Sequence, residues 1–169
     1  LEYVEIENLT VTVFDIAEWQ LTGGVEYTFP AYNSADHTSN FLAAHERLVI
    51  CGTDPAAFRA AYGIPASVRV LGPWTGNLKN TGERITLENK NGARMCTLGF
   101  NDRHPWPIAA DGGGHSLVLK NSNFAIDDYR IWGASTGRGG TPGAGEPTAS
   151  EEPYSNPEVD LSVGIPYIN

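Results

Sequence analysis

The fold is decided by the stretch Asp15-Ile-Ala-Glu-Trp-Gln-Leu-Thr-Gly-Gly-Val-Glu-Tyr-Thr-Phe-Pro30. Apolar residues precede the Gly23-Gly24 pair, and beyond it Val25, Tyr27 and Phe29 alternate with polar residues. Alternation with a period of two is typical of a strand with one buried face, and adjacent glycines permit the positive φ angles of a tight turn. The stretch therefore predicts a β-hairpin.

Further strands are predicted outside this hairpin. At the start of the chain, Val4 and Ile6 alternate with Glu5 and Glu7, which predicts a strand with one acidic, solvated face. Other apolar or alternating runs predict strands at 48–51, 68–71, 85–87, 95–100 and 117–119, with a turn at Asn91-Gly92. Residues 33–44 and 101–114 lack a clear period and predict surface loops.

One short helix is predicted after the strand at 48–51. Asp54 is a favourable N-cap and Pro55 suits the first helical position. An alanine-rich run continues to Tyr62, and Gly63 and Pro65 end it. The remaining pattern is that of a β protein.

Several tracts resemble one family in content and order. They are the hairpin, Leu1-Glu-Tyr-Val-Glu-Ile-Glu-Asn8, Gly82-Glu-Arg-Ile-Thr-Leu87, the Trp-Pro, Ala-Asp-Gly and Ser-Leu motifs within 106–119, and the Trp-Gly-Ala-Ser motif within 127–135. Together they resemble the lamin-tail domain family, in the version found as modules of large secreted bacterial proteins. The resemblance implies an all-β, immunoglobulin-like β-sandwich with one short helix over residues 1–145. It also implies a non-catalytic structural or adhesion module that is secreted or displayed on the cell surface.

Composition and charge exclude several classes of protein. Only 18% of the residues are charged while 41% are hydrophobic, which indicates a globular domain. No apolar run reaches the length that a bilayer requires, so no membrane span is expected. The net charge of −9, without a clustered basic face, argues against a nucleic-acid partner.

The sequence offers no constellation for catalysis, and no enzyme activity is expected. Its histidines, at positions 37, 45, 104 and 115, lie in separate loops without the spacing of a zinc site. Ser116 beside His115 is not a triad. No cofactor is expected either, although Asn101, Asp102 and Asp111 leave calcium coordination through oxygen atoms open.

The two cysteines leave two alternatives open. Cys51 and Cys96 both lie in strand-like runs that enter the core, and we expect them to be close in space. In a secreted sandwich they could form a disulfide, whereas buried free thiols are the other reading.

Two tryptophans suggest an alternative function. Trp74 and Trp106 lie in proline-flanked loops, and exposed aromatic rings stack on sugars in carbohydrate-binding modules. They make a polysaccharide ligand the alternative to a purely structural role. The sequon Asn8-Leu-Thr10 carries little weight as a glycosylation site.

The C-terminal region suggests assembly. Residues 137–153 are rich in Gly, Pro, Thr and Glu without periodicity, which indicates a linker from Gly137 onward, and the domain division places the flexible linker at 146–162. Residues 163–169 are strand-like again, with Val163, Ile165, Tyr167 and Ile168 as apolar members, and they resemble the family's first strand, which is absent before Leu1. We expect this segment to occupy the first-strand position beside Tyr3, Val4 and Ile6. Donation to a neighbouring copy would give a head-to-tail homopolymer. Insertion into its own domain, and a tail that begins an adjacent module of one longer polypeptide, are the alternatives.

Overall fold

The computed structural model describes residues 1–33, 35, 40–120 and 125–146. Within these ranges the chain forms β-strands, one α-helix and two short 3-10 helices at Ile108–Ala110 and Tyr129–Ile131. The strands are β1 (Tyr3–Glu7), β2 (Phe14–Asp15), β3 (Gln20–Thr22), β4 (Val25–Thr28), β5 (Phe41–Leu42), β6 (Arg47–Cys51), β7 (Arg69–Leu71), β8 (Thr75–Gly76), β9 (Glu83–Glu88), β10 (Arg94–Phe100), β11 (His115–Leu119) and β12 (Trp132–Arg138). The helix α1 is Pro55–Tyr62. The predicted β architecture with one short helix is confirmed.

Two larger sheets carry most of the strands. One has three strands in the order β1-β6-β7, and the other has five in the order β10-β9-β3-β4-β8. β1 pairs antiparallel with β6, while β7 pairs parallel with β6. Two further pairs, β11-β12 and β2-β5, stand apart from these sheets.

The two larger sheets enclose the main core, called here the inter-sheet core. Its buried side chains are Ile16, Leu21, Val25, Phe29, Leu42, Leu48, Ile50, Trp74, Ile85 and Leu87. Strand β6 supplies Leu48 and Ile50, and β3, β4 and β9 of the other sheet supply Leu21, Val25, Ile85 and Leu87. Leu42 of β5 and the loop residues Ile16, Phe29 and Trp74 complete the core. Since full burial of one such side chain contributes about 1.5–3 kcal/mol, this layer holds the sheets together.

The other face of the three-stranded sheet packs against α1. Strand β6 sends Leu48 and Ile50 to the inter-sheet core, so Val49 and Cys51 point the opposite way and join Phe58 of the helix in a second cluster. Tyr3 of β1 contributes an edge-to-face contact with Phe58 at a centroid distance of 5.7 Å. We call this side of the sheet its outer face.

The predicted hairpins and helix are confirmed in detail. β3 and β4 pair around the Gly23-Gly24 turn, where Gly23 has φ +121° and a Cβ would lie 2.0 Å from the Arg84 carbonyl oxygen. β9 and β10 pair around the turn at Asn91-Gly92. In α1 the Asp54 side chain accepts a hydrogen bond from the Ala57 N–H, and the chain leaves the helix at Gly63 in the left-handed conformation.

One loop prediction needs correction. Residues 33–44 include strand β5, because Phe41 and Leu42 pair with Asp15 and Phe14. A strand of two residues is too short for its alternation to register in the sequence. Of the helices in the described ranges, none is long and apolar enough to cross a membrane.

Candidate functional site

Strand β1 lies at an edge of the three-stranded sheet. The ladder to β6 is bracketed by two hydrogen bonds, from Asn8 N–H to Glu46 O at 3.0 Å and from Gly52 N–H to Glu2 O at 3.2 Å. In an antiparallel pair, residues that bond to the partner alternate with residues whose backbone groups point away. The even-numbered residues of β1 therefore bond to β6.

The odd-numbered residues of β1 present their backbone groups on the other side. The N–H and C=O groups of Tyr3, Glu5 and Glu7 point away from β6. No strand of the described ranges pairs with them, since β1 ends the sheet order. An unpaired row of this kind is a template for a further strand. We call it the β1 edge.

The apolar side chains of β1 are incompletely covered. Val4 and Ile6 pack against the inter-sheet core but are only half-buried. Their ladder partners Ile50 and Leu48, one strand further in, are 0% exposed. Val4 and Ile6 are therefore exposed because β1 is an edge strand, and one more strand beside β1 would bury both side chains.

The two carboxylates on the outer face of β1 share one arginine. Arg47 forms ion pairs with Glu5 and Glu7, each at 3.0 Å. Burial raises the pKa of the Glu5 carboxyl, and the Gly143 N–H and Arg47 oppose that rise. The face predicted to be acidic and solvated is therefore acidic but partly covered, since Glu5 and Glu7 are largely buried against Arg47.

Residues 139–146 cross the outer face alongside β1. The Tyr3 hydroxyl donates to Gly139 O at 3.4 Å, and the Gly143 N–H donates to Glu5 at 2.7 Å. Arg47, the partner of Glu7, donates to Ala144 O at 3.2 Å. These contacts hold residues 139–144 over Tyr3 and Glu5 on the outer face, and we call the stretch up to Glu146 the 139–146 segment.

Glu146 fastens the end of this segment to the domain. Its carboxylate accepts hydrogen bonds from the Thr136 N–H at 2.7 Å and the Thr141 hydroxyl at 3.1 Å, and Lys120 lies 3.9 Å away. Burial acts to raise the pKa of Glu146, but these hydrogen bonds outweigh it and the pKa is lowered. The interpretation of the chain from Gly137 onward as linker is therefore wrong up to Glu146. Residues 147–162 of the predicted linker lie outside the described residues.

A cleft of about 190 Å³ opens at the Tyr3 end of β1. Its lining includes the apolar side chains of Leu78, Phe100 and Leu117. Leu78 N–H donates to Glu2 at 3.4 Å, which places the cleft beside the start of β1.

The residues considered for calcium share this cleft. Asn101, Asp102 and Asp111 all line it, together with Lys79. Asn101 Oδ1 accepts the Arg103 N–H at 2.9 Å, and Asp102 lies 3.9 Å from the Arg103 side chain. In the part of the chain that the structure describes, no group of three or more His, Cys, Asp or Glu side chains could hold a metal ion. Calcium coordination by Asn101, Asp102 and Asp111 stays a prediction.

Two of the residues considered for catalysis, His115 and Ser116, have contacts to neighbouring strands. His115 Nδ1 lies 2.8 Å from Ser135 O, and the Ser116 hydroxyl lies 2.8 Å from the Tyr3 hydroxyl. His37 is outside the described ranges. Both Ser116 and His115 thus have contacts that attach β11 to its neighbours.

The expectation that Trp74 is an exposed aromatic is wrong. It is 5% exposed and packs in the inter-sheet core. Its backbone N–H donates to Cys51 O at 3.2 Å, and its indole lies against Gly52. Trp106 is half-buried. With Trp74 buried, the proposed pair of stacking rings does not exist, and carbohydrate binding through Trp106 stays a prediction.

The expectation that Cys51 and Cys96 are close in space is also wrong. Both are free; Cys51 is buried and Cys96 is exposed. Cys51 lies beside Trp74, next to β8, whereas Cys96 is in β10 at the opposite edge of the five-stranded sheet. Four strand spacings of about 4.8 Å separate these edges, which is too far for a disulfide.

The sequence interpretation missed the role of Asn8. Its side chain is 4% exposed, and its Nδ2 donates to Thr12 O at 2.7 Å, Ala43 O at 2.8 Å and Leu42 O at 3.3 Å. Its Oδ1 accepts from both the N–H and the hydroxyl of Thr10. The Asn-Leu-Thr sequence is therefore a structural clamp that ties the loop after β1 to β5.

The predicted acceptor residues Tyr3, Val4 and Ile6 thus all lie on the edge strand β1. The predicted donor residues Val163, Ile165, Tyr167 and Ile168 lie outside the described residues. Comparison with protein-family models finds no match to this chain, and no curated protein matches it.

Proposed function

We propose that this chain is a non-catalytic structural module of the lamin-tail type, an immunoglobulin-like sandwich that acts outside the cell. It assembles with copies of itself by accepting a strand at the β1 edge. The observation that carries this proposal is the edge itself: three residues with unpaired backbone groups beside two half-buried apolar side chains.

Strand addition suits this edge for two energetic reasons. Each backbone hydrogen bond contributes about 0.5–1.5 kcal/mol, and Tyr3, Glu5 and Glu7 each offer a donor and an acceptor. Burying the exposed parts of Val4 and Ile6 adds about 25 cal/mol for each Å² removed from water. Main-chain bonds then supply affinity, while alternate side chains supply specificity.

The donor in this proposal is the segment 163–169, which has strand-like alternation. Residues 147–162 could extend roughly 50 Å at about 3.3 Å per residue, so the segment can reach a neighbouring copy. Insertion into its own domain, and service as the start of a following module, compete with donation.

The proposal is tested by the mass of the purified full chain, measured by light scattering and electron microscopy. We expect concentration-dependent polymers from the full chain and monomers from a chain lacking residues 163–169. A variant of equal length, with Val163, Ile165, Tyr167 and Ile168 all replaced by Ser, is the matched control and should also be monomeric.

Two results would contradict strand donation. One is a truncated chain that still polymerises. The other is a full chain that stays monomeric and is no more stable than the truncated one. A monomeric full chain that truncation destabilises would instead indicate insertion into its own domain.

A further inference from the structure

We infer, building on the proposed function, that the strand added at the β1 edge is segment 163–169 of a second copy and that it lies parallel to β1. Ile165 then lies opposite Val4 and Tyr167 opposite Ile6. Two features of the chain lead to the parallel direction.

The first feature is Pro166 in the middle of the donor segment. Proline has no N–H, so in an added strand its backbone must face away from β1, toward solvent. Because backbone direction alternates along a strand, the N–H groups of Ile165 and Tyr167 then face β1. This assignment holds for either strand direction.

The second feature is the face on which the donor side chains fall. In an antiparallel pair, residues that bond to each other lie opposite each other, so Ile165 and Tyr167 would stand beside Tyr3, Glu5 or Glu7 on the outer face. That face is occupied: Tyr3 packs on the aromatic rings of α1, and Glu5 is bonded to Arg47 and to the 139–146 segment.

In a parallel pair, a residue whose N–H and C=O face the partner strand lies opposite a partner residue whose own N–H and C=O face away from it. Ile165 and Tyr167 then lie opposite Val4 and Ile6 and share their face of the sheet. These are the half-buried side chains that adjoin the inter-sheet core. Only the parallel direction satisfies Pro166 and also covers this apolar surface.

Disulfide trapping in the full chain tests the direction. In a Cys96→Ser background, which leaves only the buried Cys51, Glu7→Cys is combined either with Ile168→Cys or with Val163→Cys. A parallel strand brings position 168 beside position 7, and an antiparallel strand brings position 163 there. Single-cysteine variants are the controls, and light scattering under reducing conditions first establishes that each variant polymerises.

We expect Glu7→Cys/Ile168→Cys to give, after oxidation, a ladder of covalent multimers on a non-reducing gel, and Glu7→Cys/Val163→Cys to give none. Covalent dimers or multimers from the second pair alone would overturn the parallel direction while keeping strand donation. An intrachain bond from either pair would overturn the role of a second copy. Polymers that neither pair cross-links would overturn the β1 edge as the site. Failure of the proposed function is distinct, since the unmodified chain would then not polymerise.

Discussion

Strands β1 and β10 are both edge strands of their sheets, but they differ in the regularity of their pairing. β10 is interrupted by a register shift between Arg94 and Cys96, and its first residues are exposed. β1 keeps an unbroken register with β6 from Tyr3 to Glu7. Bulges are one of the devices by which proteins prevent strands from adding to a sheet. The comparison teaches that one edge is protected against pairing while the other retains the regular geometry that pairing requires.

The largest expected effect comes from proline at neighbouring positions of β1. Val4→Pro removes an N–H that bonds to β6, and we expect it to lower the free energy of unfolding by about 2–4 kcal/mol. Glu5→Pro removes an N–H that faces the β1 edge, so it should abolish polymers without breaking the ladder. Denaturant unfolding of chains lacking 163–169, and light scattering of full chains, give the two readouts.

Glu5→Ala is the control for the lost carboxylate. It should match Glu5→Pro in stability yet still polymerise, because its backbone N–H is intact. If Glu5→Pro is as destabilising as Val4→Pro, the assignment of outward and inward groups on β1 is incorrect.

A charge placed on each edge strand gives the next largest effect. Ile6→Lys sets an ammonium against the inter-sheet core and should cost about 2–3 kcal/mol and block assembly. Met95→Lys on β10, where the side chain is 45% exposed, should change stability by no more than about 0.5 kcal/mol and leave polymers intact. Thermal unfolding and light scattering measure both. Loss of polymers in Met95→Lys would show that β10 is also an assembly edge.

Glu146 allows the attachment of the 139–146 segment to be tested by pH. Its pKa is lowered in the folded chain, so the folded state holds fewer protons than the unfolded state near the ordinary value of 4.5. Stability from this group is therefore present above that pH and is lost as the pH falls below it. Glu146→Gln should cost about 1 kcal/mol at pH 7 and progressively less in acid, by denaturant titration at several pH values. A cost that does not change with pH would contradict a role for the charged carboxylate.

The smallest expected effect concerns the Tyr3 hydroxyl, which joins β1 to β11 through Ser116 at 2.8 Å. Tyr3→Phe should lower the free energy of unfolding by about 1 kcal/mol, since the ring contacts with α1 remain. Ser116→Ala should cost a similar amount. A double mutant cycle by denaturant unfolding checks the pair, and full additivity would mean that the bond contributes nothing.

Local signals made most of the fold predictable. The Gly23-Gly24 hairpin and the helix from Pro55 depend on φ angles and caps that few residue types can supply. The position of Trp74 was not predictable, because its burial depends on β6 lying beside it, which is a contact distant in sequence.

The 139–146 segment was misread for a related reason. Glycine-rich composition is typical of linkers, yet here it is a packing requirement. A Cβ on Gly143 would lie 2.5 Å from Val68, and one on Gly140 would lie 2.3 Å from the Tyr3 hydroxyl. Alternation at Val4 and Ile6 identified a strand, but whether that strand is an edge depends on the order of the sheet, which one strand's sequence does not contain.

The clamp at Asn8 has a practical consequence for producing this protein. Oligosaccharide transfer modifies the Asn Nδ2, the same atom that Thr12, Leu42 and Ala43 hold through their carbonyl oxygens. In a host that glycosylates Asn-x-Thr sequences, modification before folding would remove these bonds and leave a bulky sugar where the side chain is 4% exposed. A glycosylated chain would therefore be a chain that has not folded. Expression without N-glycosylation is the route to native material, because a Thr10→Val change would remove the sequon but also the hydroxyl that donates to Asn8 Oδ1.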